Sequence, residues 1–157
     1  MDKVPGIRIT LANNLPVNVE GRFVLYWMTA FRRKNWNFSL QRAVQWANEL
    51  RKPLVVLEAL RCDYPWASDR LHRFILDGMQ DNLRVFAESR ALYFPFVERS
   101  IGEGKGLIRE LGTHACAVIS DDYPAFFLPK MNCPSFKYTG WNPTVAFKDL
   151  WEAFRRQ

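Results

Sequence analysis

Two acidic residues close one apolar run, Ala115 to Asp122 (ACAVISDD). Three cations and a tryptophan, Arg32, Arg33, Lys34 and Trp36, follow another, Phe23 to Met28 (FVLYWM). Adjacent carboxylates, here Asp121 and Asp122, are the residue type for acid–base work or for holding a hard divalent cation. Clustered cations meet phosphate, and an aromatic ring beside them offers a face for stacking a planar group. The remaining chemical signals are weaker. Gly102 to Gly106 (GEGKG) is glycine-rich before a helical stretch, but it lacks P-loop spacing and the G-x-G-x-x-G of dinucleotide sites, so it reads as a flexible turn. His72 and His114 have no partner four residues away, and His72 reads as packing or capping on its own helix. Cys62, Cys116 and Cys133 form an odd, widely spaced set that is neither a disulfide framework nor a zinc pattern. Cys116 lies inside an apolar run and reads as inert. No Ser-His-Asp or Cys-His set is present. No catalytic residue and no metal ligand is assigned.

These residues need elements to position them, and the elements alternate. Residues 23–28 read as a first strand. Residues 38–51 place Leu40, Ala43, Val44, Ala47 and Leu50 at helical spacing, and Lys52-Pro53 ends that helix. Residues 53–60 form a second strand. Ser68 or Asp69 caps a helix from about 69 to 89, with Leu71, Phe74, Ile75, Gly78, Met79, Leu83 and Phe86 on one side. Residues 91–98 are a third strand, which Pro95 places at the sheet edge. A short helix near 105–113 and a fourth strand at 115–122 follow. This alternation predicts an α/β fold: a Rossmann-like, doubly wound parallel sheet of four to five strands in the order 3-2-1-4(-5), with helices on both faces. Ligands of such sheets sit beyond the carboxyl ends of the strands, where the order reverses between strands one and four. Arg32, Arg33 and Trp36 then share a crevice with Asp121, Asp122 and Tyr123. The simpler reading of the same residues is a solvated loop beside a packing tryptophan.

Composition sets the outer bounds. A chain of 157 residues that is 48% hydrophobic and 15% aromatic buries a sizeable core and is not disordered. No apolar run approaches the roughly 20 residues of a membrane span, and no secretory signal is visible at the N-terminus, so the expected location is cytoplasmic. The net charge of +6 tolerates an anionic partner without requiring one.

Three segments taken in order carry a family resemblance: YWMTAFRRKNWNF, PLVVLEALRCDYPWASDRLHRFILDGMQDNL and AVISDDYPAFFLPKM. They resemble the N-terminal α/β domain of DNA photolyases, nearest to the class II type. Tyr26, Trp27 and Met28 match the end of the family's first strand. Arg33, Asn35 and Trp36 match its basic Asn-Trp segment. His72, Phe74, Leu76 and Gly78 match a helix pattern, and Asp121, Asp122, Tyr123, Pro124, Phe126 and Phe127 match the end of strand four. The resemblance covers about residues 7–131, taken as a photolyase-like domain of residues 1–131. It implies a module that scaffolds light-dependent repair of pyrimidine dimers and helps hold an antenna chromophore, a deazaflavin or a folate. The nominated cofactor-binding residues are Trp27, Met28, Arg32, Arg33, Asn35, Trp36, Asp121, Asp122 and Tyr123. In the family the chemistry belongs to a helical FAD domain that follows. The sequence ends at Gln157, so FAD is not expected in this chain and catalysis by the chain alone is not expected.

Residues 132–157 do not resemble the family. Residues 142–157 read as an amphipathic helix with Val145, Phe147, Leu150, Trp151 and Phe154 on its apolar stripe, packed on the same domain. Trp66, Phe126 and Phe127 are expected at the surface, so a homodimer or a separate helical FAD domain is the expected partner. Direct DNA binding is expected to be weak or absent. Two other functions compete: a stand-alone module for a nucleotide or flavin-like ligand, and a small hydrolase or transferase using Asp121 or Asp122 with a metal.

Overall fold

The computed structural model describes residues 3–64, 66–122 and 143–148. Five parallel strands form one sheet: β1 (Phe23–Met28), β2 (Leu54–Leu60), β3 (Leu92–Val97), β4 (Ala115–Asp122) and β5 (Pro143–Lys148), in the order β3-β2-β1-β4-β5. The expected order of the first four strands therefore holds. Helices α1 (Phe38–Leu50), α2 (Asp69–Ala87) and α3 (Leu107–Thr113) supply the crossovers.

The helices fall on the two faces that right-handed crossovers dictate. Steps from β1 to β2 to β3 move one way along the sheet. Leu40, Ala43, Trp46 and Ala47 of α1 and Phe86 of α2 pack there with Val24, Tyr26, Met28, Val56 and Ile119. The return from β3 to β4 uses the opposite face, where Leu107, Ile108 and Leu111 of α3 meet Leu25, Trp27, Val55, Leu57 and Val118. With both faces covered, β1 and β4 read as unbroken apolar runs rather than alternating ones.

Local signals fix the helix ends. Asn37 caps α1 by accepting the Leu40 N–H on its side-chain oxygen, and Ser68 does the same for α2 with Leu71. Each cap stabilises its helix by about 1 kcal/mol. β3 is indeed an edge strand. The Glu98 N–H bonds back to Leu60 of β2, so residues 93, 95 and 97, which alternate with it, turn their backbone outward. Pro95 thus removes the central outward donor, which blunts the edge against pairing with another strand.

Two expectations need correction. Residues 143–148 are a strand paired with β4, not the start of a helix. Val145 and Phe147, two residues apart, fit the period of a strand better than that of a helix, and a sheet edge was available to them. The α2 stripe is also only half used. Met79, Asn82 and Phe86 are buried, whereas Phe74 is 76% and Leu83 50% exposed. A 19-residue helix is longer than the seven-residue strand beside it, about 28 Å against about 23 Å. Its first half has no sheet to cover.

Candidate functional site at the carboxyl edge of the sheet

Three buried carboxylates mark the carboxyl edge: Glu58 near the end of β2, Glu98 just past β3, and Asp121 near the end of β4. A carboxylate taken out of water persists only where donors or cations meet its oxygens. Each of the three ties a different loop to the sheet.

Asp121 holds the loop after β1. Its Oδ2 accepts the backbone N–H groups of Thr29, Ala30 and Phe31 at 3.0, 2.9 and 3.0 Å. Its Oδ1 accepts the Tyr26 hydroxyl at 2.8 Å. That hydroxyl in turn accepts from Asn37 Nδ2 at 2.9 Å, and the same nitrogen reaches the carbonyls of Phe31 and Arg33 at 3.0 Å each. Burial, then the Asp121 charge, pushes the Tyr26 phenol well above its ordinary range, so it stays a donor. The switch point between β1 and β4 is filled by this network.

Glu58 holds Arg32. Its Oε1 accepts Arg32 Nη1 at 3.1 Å, and its Oε2 accepts Asn82 Nδ2 at 2.9 Å and the Tyr93 hydroxyl at 2.6 Å. Arg32 also donates through Nη2 to the Ala59 carbonyl at 3.0 Å. Burial, then the bond to Glu58, raises the Tyr93 phenol far above its usual value. The loop after β1, strands β2 and β3 and helix α2 meet at this one carboxylate.

Glu98 holds the glycine-rich loop. Its Oε1 accepts the N–H groups of Gly102 and Gly104 at 3.0 and 3.2 Å. Its Oε2 accepts the Cys62 N–H at 3.0 Å and faces Cys62 Sγ at 3.5 Å. The Cys62 N–H and the two glycine amides hold its carboxyl below the usual range despite burial. Gly102 sits at φ 86° and a Cβ on Gly104 would press on the Phe96 ring, so both glycines serve this closure. The loop does bind an anion, and the anion is its own glutamate.

The nominated residues separate accordingly. Trp27 and Met28 are buried, on opposite faces of the sheet. Arg32 and Asp121 are engaged in the networks above. Trp27 and Met28, nominated from the family resemblance, hold the last two positions of β1, which still lie inside the core. Lys34 donates to the Val85 carbonyl at 3.1 Å. Arg33, Asn35 and Trp36 are exposed and Asp122 is half-buried. Tyr123, Phe126 and Phe127 lie outside the described residues. Trp36, 92% exposed, sits at φ 54°, and Trp66, 72% exposed, sits at φ 72°. A bulky residue in that left-handed region carries roughly 1–2 kcal/mol of strain. Both tryptophans follow the carboxyl ends of neighbouring strands. Arg33 bonds through Nη2 to the Trp36 carbonyl at 3.4 Å, and its guanidinium lies over the Phe31 ring at 5.6 Å.

Sequence reasoning missed Glu58, Glu98, Tyr26, Asn37, Asn82 and Tyr93. A charged residue inside an apolar run, as Glu58 in LVVLEAL, was the available signal. Among the described residues no helix is long and apolar enough to cross a membrane.

No family model matches the chain. Over 80 residues it is 41% identical to the deoxyribodipyrimidine photo-lyase of Methanothermobacter thermautotrophicus (strain Delta H). That stretch is 49% of this chain and 18% of the relative, so the chain spans a minor part of the protein it resembles.

Proposed function

We propose that the chain is a photolyase-like α/β module that serves light-dependent repair of pyrimidine dimers in DNA as an antenna and scaffold, with the flavin chemistry residing elsewhere. The observation that carries this reading is the 41% identity over 80 residues to a photo-lyase. The carboxyl edge supports it. Its loops are pinned by buried carboxylates, and the pinning holds Trp36 outward in a strained conformation. A planar chromophore, a deazaflavin or a folate, would stack on the Trp36 face. Arg33 would meet its anionic group, and Trp66 offers a second ring nearby in the topology. Such a chromophore supplies absorption of light; the chain supplies a fixed platform. Asp121 and Arg32 take no part in holding it, because their polar atoms already serve the fold.

The test is a visible absorption spectrum of the purified protein, before and after a deazaflavin, a reduced folate and FAD are added in turn. Saturable uptake of the deazaflavin or folate, reduced in Trp36→Ala, is the expected result. Uptake of FAD or a free nucleotide alone would favour a stand-alone ligand-binding module. No uptake of any of the three would remove the antenna role. DNA binding by this chain is expected to be weak, since Arg32 and Lys34 are occupied within the fold.

A further inference from the structure

Among the described residues, three other than glycine adopt a left-handed backbone: Trp36, Arg51 and Trp66. Backbone hydrogen bonds account for two of them. Arg51 is the C-cap of α1, and its N–H returns to the Ala47 and Asn48 carbonyls; helices commonly end this way. Trp66 holds the third place of a turn closed by the Ala67 N–H on the Tyr64 carbonyl at 2.9 Å, a place where type II turns require such a residue. Among the described residues no backbone hydrogen bond closes the turn at Trp36. A side chain closes it instead. We propose that Asn37 is the positioning residue of the stacking platform: its amide sets the pose of the Trp36 ring without touching the ligand. The proposal rests on the reading of Trp36 as that platform.

Asn37 is 7% exposed, and its two polar atoms grip two parts of the chain. Its Oδ1 accepts the Leu40 N–H at 2.9 Å, which fastens the side chain to the first turn of α1. Its Nδ2 reaches the Phe31 and Arg33 carbonyls at 3.0 Å each. The Arg33 carbonyl is thereby held against the side chain of a residue four places on. Only Lys34, Asn35 and Trp36 span that gap, so the chain must reverse within it, and a left-handed residue makes the reversal. Lys34 is tied outward by Nζ to the Val85 carbonyl at 3.1 Å. The reversal falls on Trp36, although glycine or asparagine is the usual residue for that backbone. A ring that is 92% exposed buries almost nothing in return, so the bonds of Asn37 are what offset the strain.

The clamp is itself anchored in the core. The Tyr26 hydroxyl lies 2.9 Å from Asn37 Nδ2 and donates to Asp121 at 2.8 Å. Asp121 in turn holds the amides of Thr29, Ala30 and Phe31 at the other end of the same loop. Both ends of the loop are therefore fixed from buried groups, and the exposed ring between them is presented in one pose before any ligand arrives.

The test is Asn37→Ser in the full chain. Serine keeps an acceptor for Leu40, so α1 stays capped and the variant should fold, but it is too short to reach the Phe31 and Arg33 carbonyls. Asn37→Thr, a second capping residue without the amide, should behave in the same way. One readout is the strong amide-to-Hα nuclear Overhauser effect within Trp36 that a positive φ produces. The other is titration with a deazaflavin. Asn37→Ser should lose the Trp36 effect while those of Arg51 and Trp66 persist, and should bind the deazaflavin about tenfold or more weakly. Val118→Ala, which truncates a core side chain on the α3 face of the sheet and lowers the unfolding midpoint, should change neither. A Trp36 effect retained in Asn37→Ser overturns the proposal. So does its loss in Val118→Ala, which would make the pose a matter of overall stability, and so does a deazaflavin affinity unmoved when the effect is lost. A wild-type chain that binds no deazaflavin would overturn the platform reading alone, because the Overhauser effect judges Asn37 with no ligand present.

Discussion

Two places along the carboxyl edge of the sheet use one device to different effect. At the β1–β4 junction, Asp121 gathers three consecutive backbone N–H groups and a phenol. At the β2–β3 junction, Glu98 gathers three backbone N–H groups from two loops and a thiol. The first is sealed, because its fourth donor is a hydroxyl locked in place by Asn37. The second is as buried, but its fourth partner is the thiol of half-buried Cys62. A carboxylate at the end of a parallel strand is therefore no guide by itself to a ligand site. What decides is the group that completes it and whether water can reach that group.

The comparison can be broken from either side. Asp121→Ala should have the largest effect. It strips four donors of their acceptor in a site that water cannot refill, and about 3–5 kcal/mol of stability should be lost in urea unfolding. A loss under about 1 kcal/mol would mean that the switch point admits water and is not sealed. Tyr93→Phe comes next. It removes one donor from buried Glu58 while Arg32 and Asn82 remain, and should cost about 1–2 kcal/mol. Glu98→Gln should spare the core and act locally: amide exchange at Cys62, Gly102 and Gly104 should quicken while β1 and β4 stay protected.

The buried carboxylate and the buried phenols should also answer pH differently. Glu98 titrates below its unfolded value, so its contribution is present above about pH 4.3 and is lost as pH falls through its lower folded value. Loosening of the glycine loop should precede global acid unfolding. Tyr26 and Tyr93 titrate above their unfolded value, so their contribution is full below about pH 10 and fades as pH rises beyond it. Alkaline unfolding monitored by phenolate absorbance should therefore begin above pH 10 and be eased in Tyr93→Phe. The smallest effect belongs to Trp36→Gly. It relieves the left-handed strain and should leave stability unchanged or raise it by up to about 1 kcal/mol, while removing the stacking ring.

Much of the fold is legible because periodicity and punctuation agree. FVLYWM is unbroken and apolar, Ser68 opens a helix, Lys52-Pro53 closes one, and Pro95 marks the edge. The site is less legible because its parts are distant in sequence and alike in type. Asp121 and Asp122 are the same residue, and only packing against Tyr26 separates the buried one from its half-buried neighbour. Arg32 and Arg33 differ in the same way, one bound to buried Glu58 and the other exposed beside the Trp36 carbonyl. Glu98 and Cys62 are 36 residues apart and meet only once β3 lies beside β2. Residues 143–148 show the converse failure, since the strand spacing of Val145 and Phe147 competes with the helical spacing of Phe147, Leu150, Trp151 and Phe154, and the neighbouring strand decides.

The measurement that goes most directly to the central claim is equilibrium titration of a deazaflavin against the wild-type chain, Trp36→Ala, Trp66→Ala and the double variant. The account predicts saturable binding to the wild type, weakened by about tenfold or more in Trp36→Ala and lost in the double variant, with all four chains equally folded. Binding that is absent in the wild type, or unmoved by either tryptophan, would contradict it.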